Sequence, residues 1–465
     1  MSVLIRCALL RNSFKRFVGE KLVFRLYHNV AEKGVNCRLR VYPDNELVDA
    51  SLKIEADNIK PLENVTLYSE MYESGFRFGA YSYFVTGPGG TLDLTKDPSV
   101  GGSYVGVHPH GLLWGMEPLP GQRPGIRFMK KDVTTPLDIK LKMFSDHVTF
   151  EDILNEKPSL IPLGNADIKR RYKSADVERT VIRTGRIRGT FFRPVGTGPF
   201  PAVIDMFGTN GGCVEHRSAL LASRGIASLA LAYFDYEDLP SKVDQLDMNY
   251  FIEAVDWLRE QQDVDSLNGI GVVVVSKGAD IAIMMTEVCR YITAVVAINS
   301  FSHSLIWPTL IGGHIRPGYP TKLVKDLVIT EGRPFCYKNN VIYPDCDVDD
   351  DNRSLIEVEK SDTANFLFIV GQHDLICHPQ GTFNLVKRLR KHGRQNYELL
   401  MCPGAGHLLE LPHAPVTLHC YHKFLGNIVA YGGEKTLHAR AQEYSWNRML
   451  KFLKSKLQKD KSETK

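Results

Sequence analysis

Residues 269–285 read GIGVVVVSKGADIAIMM, and their reading decides the fold. The segment 270–275 is of strand length, rich in β-branched residues, and too apolar to keep one face in water. It should be a central strand of a parallel sheet. Directly after Ser276 the pattern turns helical. A serine on so tight a strand-to-helix turn is pushed out above the sheet. The free N–H groups and positive dipole end of the next helix then face whatever the hydroxyl attacks. Ser276 is therefore the candidate nucleophile of a strand–turn–helix elbow. The Gly-x-Ser-x-Gly form of that elbow is only half kept, because Val274 stands at its first glycine. An ordinary βα turn would look the same in isolation, so the assignment depends on finding partners.

Outward from this elbow the same grammar repeats. A hairpin over 180–192 leads to apolar strands at 202–207, 227–233, 270–275, 294–299, 366–370 and 397–402. Helical patterns at 214–223, 246–262, 279–289 and 382–392 separate most of them. Strands alternating with helices build βαβ units and a mostly parallel sheet covered on both faces, so 166–465 reads as an α/β domain. The polar stretch 155–179 reads as a linker before it. Between Asn299 and Ser361 the pattern lapses in a stretch that contains Pro308, Pro317, Pro320 and Pro334 and the acidic run DCDVDDD at 345–351. That run lacks the glycine and the terminal glutamate of a calcium loop, Ile356 standing where the glutamate belongs, so it reads as a solvated insertion. No metal is expected.

Upstream the period changes to two: Leu52, Ile54, Ala56; Val65, Leu67; Phe76, Phe78; Tyr81, Tyr83, Val85; Ile139, Leu141, Met143. Turn residues such as Gly87-Pro88-Gly89-Gly90 punctuate these runs, as in an antiparallel β-sandwich, assigned to 31–165. The first 26 residues set Arg6, Arg11, Lys15, Arg16, Lys21 and Arg25 against Glu20 alone. The stretch 1–30 thus resembles a mitochondrial transit peptide. The alternative is a cytoplasmic chain with a ragged N-terminus.

Composition narrows the function classes. With 43% hydrophobic and 24% charged residues the chain is globular, and a net charge of +4 is too small to argue for a nucleic acid partner. Nine scattered cysteines without a Cys-x-x-Cys pair fit a reducing compartment, most of them as buried small hydrophobes. No stretch approaches the ~18 consecutive apolar residues of a membrane span.

A serine hydroxyl needs a histidine to take its proton, and the resulting imidazolium needs a buried carboxylate. In an open α/β sheet both partners should lie downstream, just past strand ends, in the order Ser, Asp, His. Asp374 follows the strand 366–370, and His407 follows the strand 397–402. His373, His378 and His413 are rivals for the base. The oxyanion needs two backbone donors. One is expected at Lys277, the residue after the nucleophile. The other is expected at Met206 or Phe207, before the glycine-rich loop 208–212.

These residues, with GGS at 101–103, GLLW at 111–114, GTFFRP at 189–194, DMFGT at 205–209, AYFDYEDLP at 232–240, VGQ at 370–372 and GH at 406–407, resemble the type I acyl-CoA thioesterases and bile acid-CoA:amino acid N-acyltransferases. The resemblance covers nearly the whole chain beyond the first residues. It implies a β-sandwich followed by an α/β-hydrolase domain. It also implies a triad of Ser276, Asp374 and His407 that splits a thioester of coenzyme A. Coenzyme A is then part of the substrate, and no separate cofactor is implied. Relatives that conjugate amino acids carry cysteine at the nucleophile, so Ser276 favours hydrolysis, with N-acyl transfer as the alternative. Val274 and Ala279 stand where relatives carry glycines. If Val274 spoils the elbow, an acyl-CoA binding protein without activity is a third reading.

Overall fold

The computed structural model describes residues 37–319 and 353–458, together with the backbone of Asp326–Val328 and Cys336–Lys338. The leader-like stretch 1–30 and the acidic run 345–351 lie outside the described residues.

Eight strands form the path of the central sheet: β1 (Val177–Thr184), β2 (Ile187–Pro194), β3 (Phe200–Met206), β4 (Ala227–Ala232), β5 (Ile270–Val275), β6 (Ile292–Ile298), β7 (Asn365–Gly371) and β8 (Tyr397–Cys402). Their spatial order is β1-β2-β4-β3-β5-β6-β7-β8. The β1–β2 hairpin and the β2–β4 pair are antiparallel, and every pair from β4 to β8 is parallel. All six residues of β5 are buried. The reason is visible in its valines: Val273 and Val275 enter one apolar cluster, while Val272 and Val274 enter the other. Helices α1 (His216–Ser223) and α5 (Lys435–Leu457) supply the first cluster. Helices α2 (Met248–Arg259), α3 (Lys277–Val288) and α4 (Gln380–Lys391) supply the second. A strand clothed on both faces has no polar position to spare.

Four of these helices coincide with the helical patterns in the sequence, within a few residues. The 23-residue α5 was not anticipated. Its buried positions, His438, Gln442, Ser445, Met449, Phe452 and Leu453, fall at the three- and four-residue spacing of one helical face. Glu434 caps it, accepting from the amides of Thr436 at 3.1 Å and Leu437 at 2.8 Å. The helix reaches β5 at Gly271, where a β-carbon would sit 2.9 Å from Leu457 Cδ1 and 2.8 Å from Val203 Cγ1.

The N-terminal domain is a sandwich of a three-stranded sheet (Arg38–Tyr42, Lys53–Asp57, Leu92–Asp93) and a larger one centred on Asn64–Glu73, Phe76–Val85 and Leu137–Ser145. The larger sheet corrects the linker reading of 155–179. Gly164–Arg171 is one of its strands, antiparallel to Leu137–Ser145 and parallel to Asn45–Leu47. The border placed at 165/166 therefore falls inside a strand. Its inward positions are Ile168 and Arg170, and the arginine disguised the alternation. Arg170 is buried because its guanidinium donates to the carbonyls of Val48 and Ala50. Tyr81, Tyr83 and Val85 lie on the outer face, where Phe150 of the short helix Phe150–Leu154 stacks on Tyr81 at 4.8 Å.

The two domains share one apolar cluster, which runs from Leu67 and Trp114 to Leu220 and Trp446. Polar ties reinforce the seam: Asp49 pairs with Arg224 and accepts from Trp446 Nε1 at 2.9 Å. Six cysteines among the described residues are free thiols, all buried except the half-buried Cys213. Among the described residues no helix is long and apolar enough to cross a membrane.

Candidate active site

The elbow at Ser276 forms despite Val274. Ser276 sits at φ 58° and ψ −130°, a conformation that non-glycine residues rarely hold and that the surrounding structure must enforce. Its amide donates to Ile298 O at 3.0 Å, and its carbonyl accepts from the Ala279 amide at 2.8 Å, pinning the turn between β5, β6 and α3. Val274 and Ala279 are absorbed into the apolar cluster beneath the sheet, so they crowd the core and not the hydroxyl.

The loop after β7 carries Asp374, and the loop after β8 carries His407. Asp374 Oδ2 is 2.8 Å from His407 Nδ1, and both side chains are buried. The other carboxylate oxygen accepts from the amides of Ile376 at 2.7 Å and Cys377 at 2.8 Å. The carboxylate is thus held by three donors, an arrangement that orients the imidazole and stabilises its charged form. The His407 amide donates to Tyr431 O at 2.9 Å. The rivals lie elsewhere. His373 and His378 are exposed around a separate surface pocket, and His413 donates to Val48 O at the domain seam. The Ser276 hydroxyl is turned toward Cys377 Sγ at 3.8 Å. A proton transfer from Ser276 to His407 would need the hydroxyl to swing away from this contact, as candidate bases in unliganded sites often require.

The expected oxyanion segment lies alongside. Gly208 is pressed so closely on the elbow that a β-carbon there would be 3.0 Å from Ser276 Cβ and 3.3 Å from the Lys277 amide nitrogen. The Tyr233 hydroxyl donates to the carbonyls of Phe207 and Gly208 at 2.8 and 2.9 Å. Arg217, buried on Asp205, donates to Met206 O at 3.0 Å. These bonds anchor the carbonyls of the segment beside the elbow, where a β-carbon on Gly278 would lie 3.0 Å from Phe207 O. The Lys277 side chain turns away into the core, bonded to Asp280 Oδ2 at 2.8 Å and Leu305 O at 2.6 Å. Burial lowers the pKa of Lys277 and raises that of Asp280, and their mutual pairing opposes both shifts.

Ser276 and His407 open onto a cavity of about 780 Å³, within the size range of small-molecule sites. Phe76, Phe78, Ile126 and Met129 of the β-domain line it together with Phe207 and Leu409, so the site belongs to both domains. Exposed Arg123 and Lys131 stand on its rim, and among the described residues neither is in an ion pair. Three groups in this site have no counterpart in the sequence reading. Glu410 bridges His216 Nε2 at 3.1 Å and Arg127 Nη1 at 2.9 Å. Burial alone would raise its carboxyl, but these partners hold it well below the usual range. His422 Nε2 lies 3.2 Å from the Thr209 hydroxyl on the loop after β3, and burial, then His407, pushes its pKa down to about 4. Cys377 packs behind Ser276. None of the three sits at a motif spacing, and only the folded loops bring them in.

A sheet in this order, with a strained serine after β5, an aspartate after β7 and a histidine after β8, defines an α/β hydrolase. Residues 49–184 match the sequence profile described as Acyl-CoA thioester hydrolase/BAAT N-terminal region. Residues 246–459 match the one described as BAAT / Acyl-CoA thioester hydrolase C terminal. Bile acid-CoA:amino acid N-acyltransferase of Mus musculus is 35% identical over 428 residues, covering 91% of this chain and 99% of that protein. Acyl-coenzyme A thioesterase 5 of Mus musculus is 36% identical, covering 89% of this chain and 95% of that protein. Mitochondrial acyl-coenzyme A thioesterase 2 of Mus musculus is 34% identical, covering 91% and 90%. The chain belongs to the acyl-CoA thioester hydrolase/bile acid-CoA:amino acid N-acyltransferase family.

Proposed function

We propose that this protein hydrolyses fatty acyl-CoA thioesters through Ser276, His407 and Asp374. The observation that carries the reading is the buried 2.8 Å contact between Asp374 Oδ2 and His407 Nδ1, one loop away from a serine held in a strained elbow at the cavity floor. His407 takes the Ser276 proton as the hydroxyl attacks the thioester carbonyl, and returns it to the coenzyme A thiolate. Asp374 keeps Nδ1 as the donor and stabilises the imidazolium. The amides of Lys277 and of Phe207 or Met206 receive the oxyanion. Water, activated by the same histidine, releases the fatty acid. The aromatic and aliphatic wall suits an acyl chain, and Arg123 and Lys131 suit the phosphates of coenzyme A.

Transfer of the acyl group to an amino acid is the second reading. It is favoured by the N-acyltransferase among the relatives, 35% identical beside 36% for a thioesterase. The oxygen ester made by Ser276 is less open to amines than a cysteine thioester, which supports water as the acceptor. The compartment is proposed as mitochondrial on the basic stretch 1–30, with the cytoplasm as the alternative. Imaging the full chain and one beginning near Asn29 tests this.

The deciding experiment is a panel of acyl-CoA esters of increasing length, assayed for thiol release with and without glycine or taurine, in the parent and in Ser276→Ala. Thiol release by the parent, independent of the amino acids and reduced to background in Ser276→Ala, is expected. Amino acid-dependent release with amide formation would select the second reading. Parental rates in Ser276→Ala would remove the nucleophile, and tight binding without turnover by the parent would leave a non-catalytic acyl-CoA binder.

A further inference from the structure

The proposed triad has no use for a thiol, yet Cys377 stands within it. The Cys377 amide donates to Asp374 Oδ1 at 2.8 Å, which ties thiol and carboxylate into one turn. Its sulfur is 3.8 Å from Ser276 Oγ. One donor atom each from Asp374, Cys377 and His407 lie within 4.8 Å of one another, and all three residues are buried. Cys377 does not line the cavity that Ser276 and His407 line, so it is poorly placed to attack a substrate.

We propose that Asp374, Cys377 and His407 form an inhibitory site for a soft divalent cation of the zinc type. Sulfur, imidazole nitrogen and carboxylate oxygen are the donor types zinc takes, whereas magnesium and calcium take oxygen alone. Zinc–ligand bonds of about 2.0–2.3 Å place neighbouring donors some 3–4 Å apart, so side-chain rotations of about an ångström close the site. The cation enters from the cavity between Ser276 and His407, and a water or the serine hydroxyl fills a remaining position. The Cys377 S–H bond breaks, its electron pair forms the metal–sulfur bond, and the proton leaves to solvent. Held between Asp374 and His407 Nδ1, the cation takes the Nδ1 lone pair while the ring proton moves to Nε2, so the nitrogen that would accept the serine proton is already protonated. The inhibitory consequence rests on His407 being the base. Capture of the metal does not.

The test uses the full chain, with cobalt(II) as the optical probe and zinc as the inhibitor. Cobalt should give the parent a thiolate-to-metal charge-transfer band, retained in Cys289→Ala, whose cysteine lies at the far end of α3, and lost in both Cys377→Ala and His407→Ala. Zinc should inhibit acyl-CoA hydrolysis by the parent reversibly on chelation. In Cys377→Ala, rates scaled to that variant's own metal-free rate should require at least ten times more zinc. Cys377→Ser, of nearly equal size, gives the same comparison if the alanine variant does not fold. A parent without the cobalt band, or zinc inhibition unchanged by loss of Cys377, overturns the proposal. If the parent hydrolyses no acyl-CoA, the functional reading fails and the cobalt band alone decides the metal site.

Discussion

Gly208 lies against Ser276 so closely that a β-carbon on it would stand 3.0 Å from Ser276 Cβ and 3.2 Å from the hydroxyl oxygen. The loop after β3 and the elbow after β5 are thereby fixed as one unit, and the space between them is the size of a hydrogen atom. Gly208→Ala should leave the fold intact, because the loop is half-buried and outside the sheet. It should push the amides of the loop off the oxyanion position. Loss of one such donor costs about 10²–10³ in kcat. Steady-state rates on an acyl-CoA ester, beside a thermal melt, check this, and parental kcat would show that the loop does not hold the oxyanion.

Asp374→Asn keeps an oxygen for the amides of Ile376 and Cys377 but turns an NH₂ toward His407 Nδ1. The imidazole must then present the wrong tautomer to Ser276. A protease triad loses about 10⁴ in kcat on the equivalent change, and a similar fall is expected here with little change in unfolding temperature. Near-parental turnover would show that another carboxylate serves His407.

Arg217 and Asp205 form a buried ion pair at the end of β3, with 5% and 0% of their side chains exposed. Arg217→Met should destabilise the protein by about 3–5 kcal/mol, because it leaves a buried carboxylate unpaired. It also releases Met206 O, so kcat should fall even where the variant is folded. Adding Asp205→Asn should recover part of the stability and none of the lost kcat. Urea unfolding of the single and double variants measures the first effect, and assays below the transition measure the second.

At the domain seam, His110 and His413 stack with ring centroids 3.6 Å apart. Burial first, then His413 and Arg170, pushes the pKa of His110 down to about 2. Burial also pushes His413 down to about 4, against its bond to Val48 O. Arg170 and Asp49 face the pair from the β-domain, and Glu443 lies 4.0 Å from His413 Nε2. Above pH ~6.5 both rings are neutral, folded or unfolded. As pH falls toward 4 the unfolded chain takes up protons that the folded chain excludes, so stability falls by on the order of 1–3 kcal/mol per histidine. His413→Gln, which can still donate to Val48 O, should lose less stability than the parent between pH 7.5 and 5. Equal losses would show that the seam does not titrate.

How much of this was legible in the sequence differs from element to element. Residues 270–275 announced a strand buried on both faces because only apolar side chains survive there, and Ser276 followed because the helical period starts beside it. Asp374 and His407 were legible because each ends an apolar strand, in the chain order that the hydrolase arrangement requires. Gly164–Arg171 was misread because Arg170 fills an inward position, and only the carbonyls of Val48 and Ala50, more than 100 residues away in sequence, make that tolerable. Helix α5 went unread although its face is periodic, since polar His438 and Gln442 occupy buried positions on it. The choice of His407 over His373, His378 and His413 was open in sequence, because a 2.8 Å contact between two loops has no local signature. Cys377, Glu410, His422 and the two-domain cavity wall are of the same kind. Local pattern encodes which segments form strands and helices, through burial and period. Which side chains from distant loops meet, and at what distance, is decided only when the sheet order sets those loops side by side.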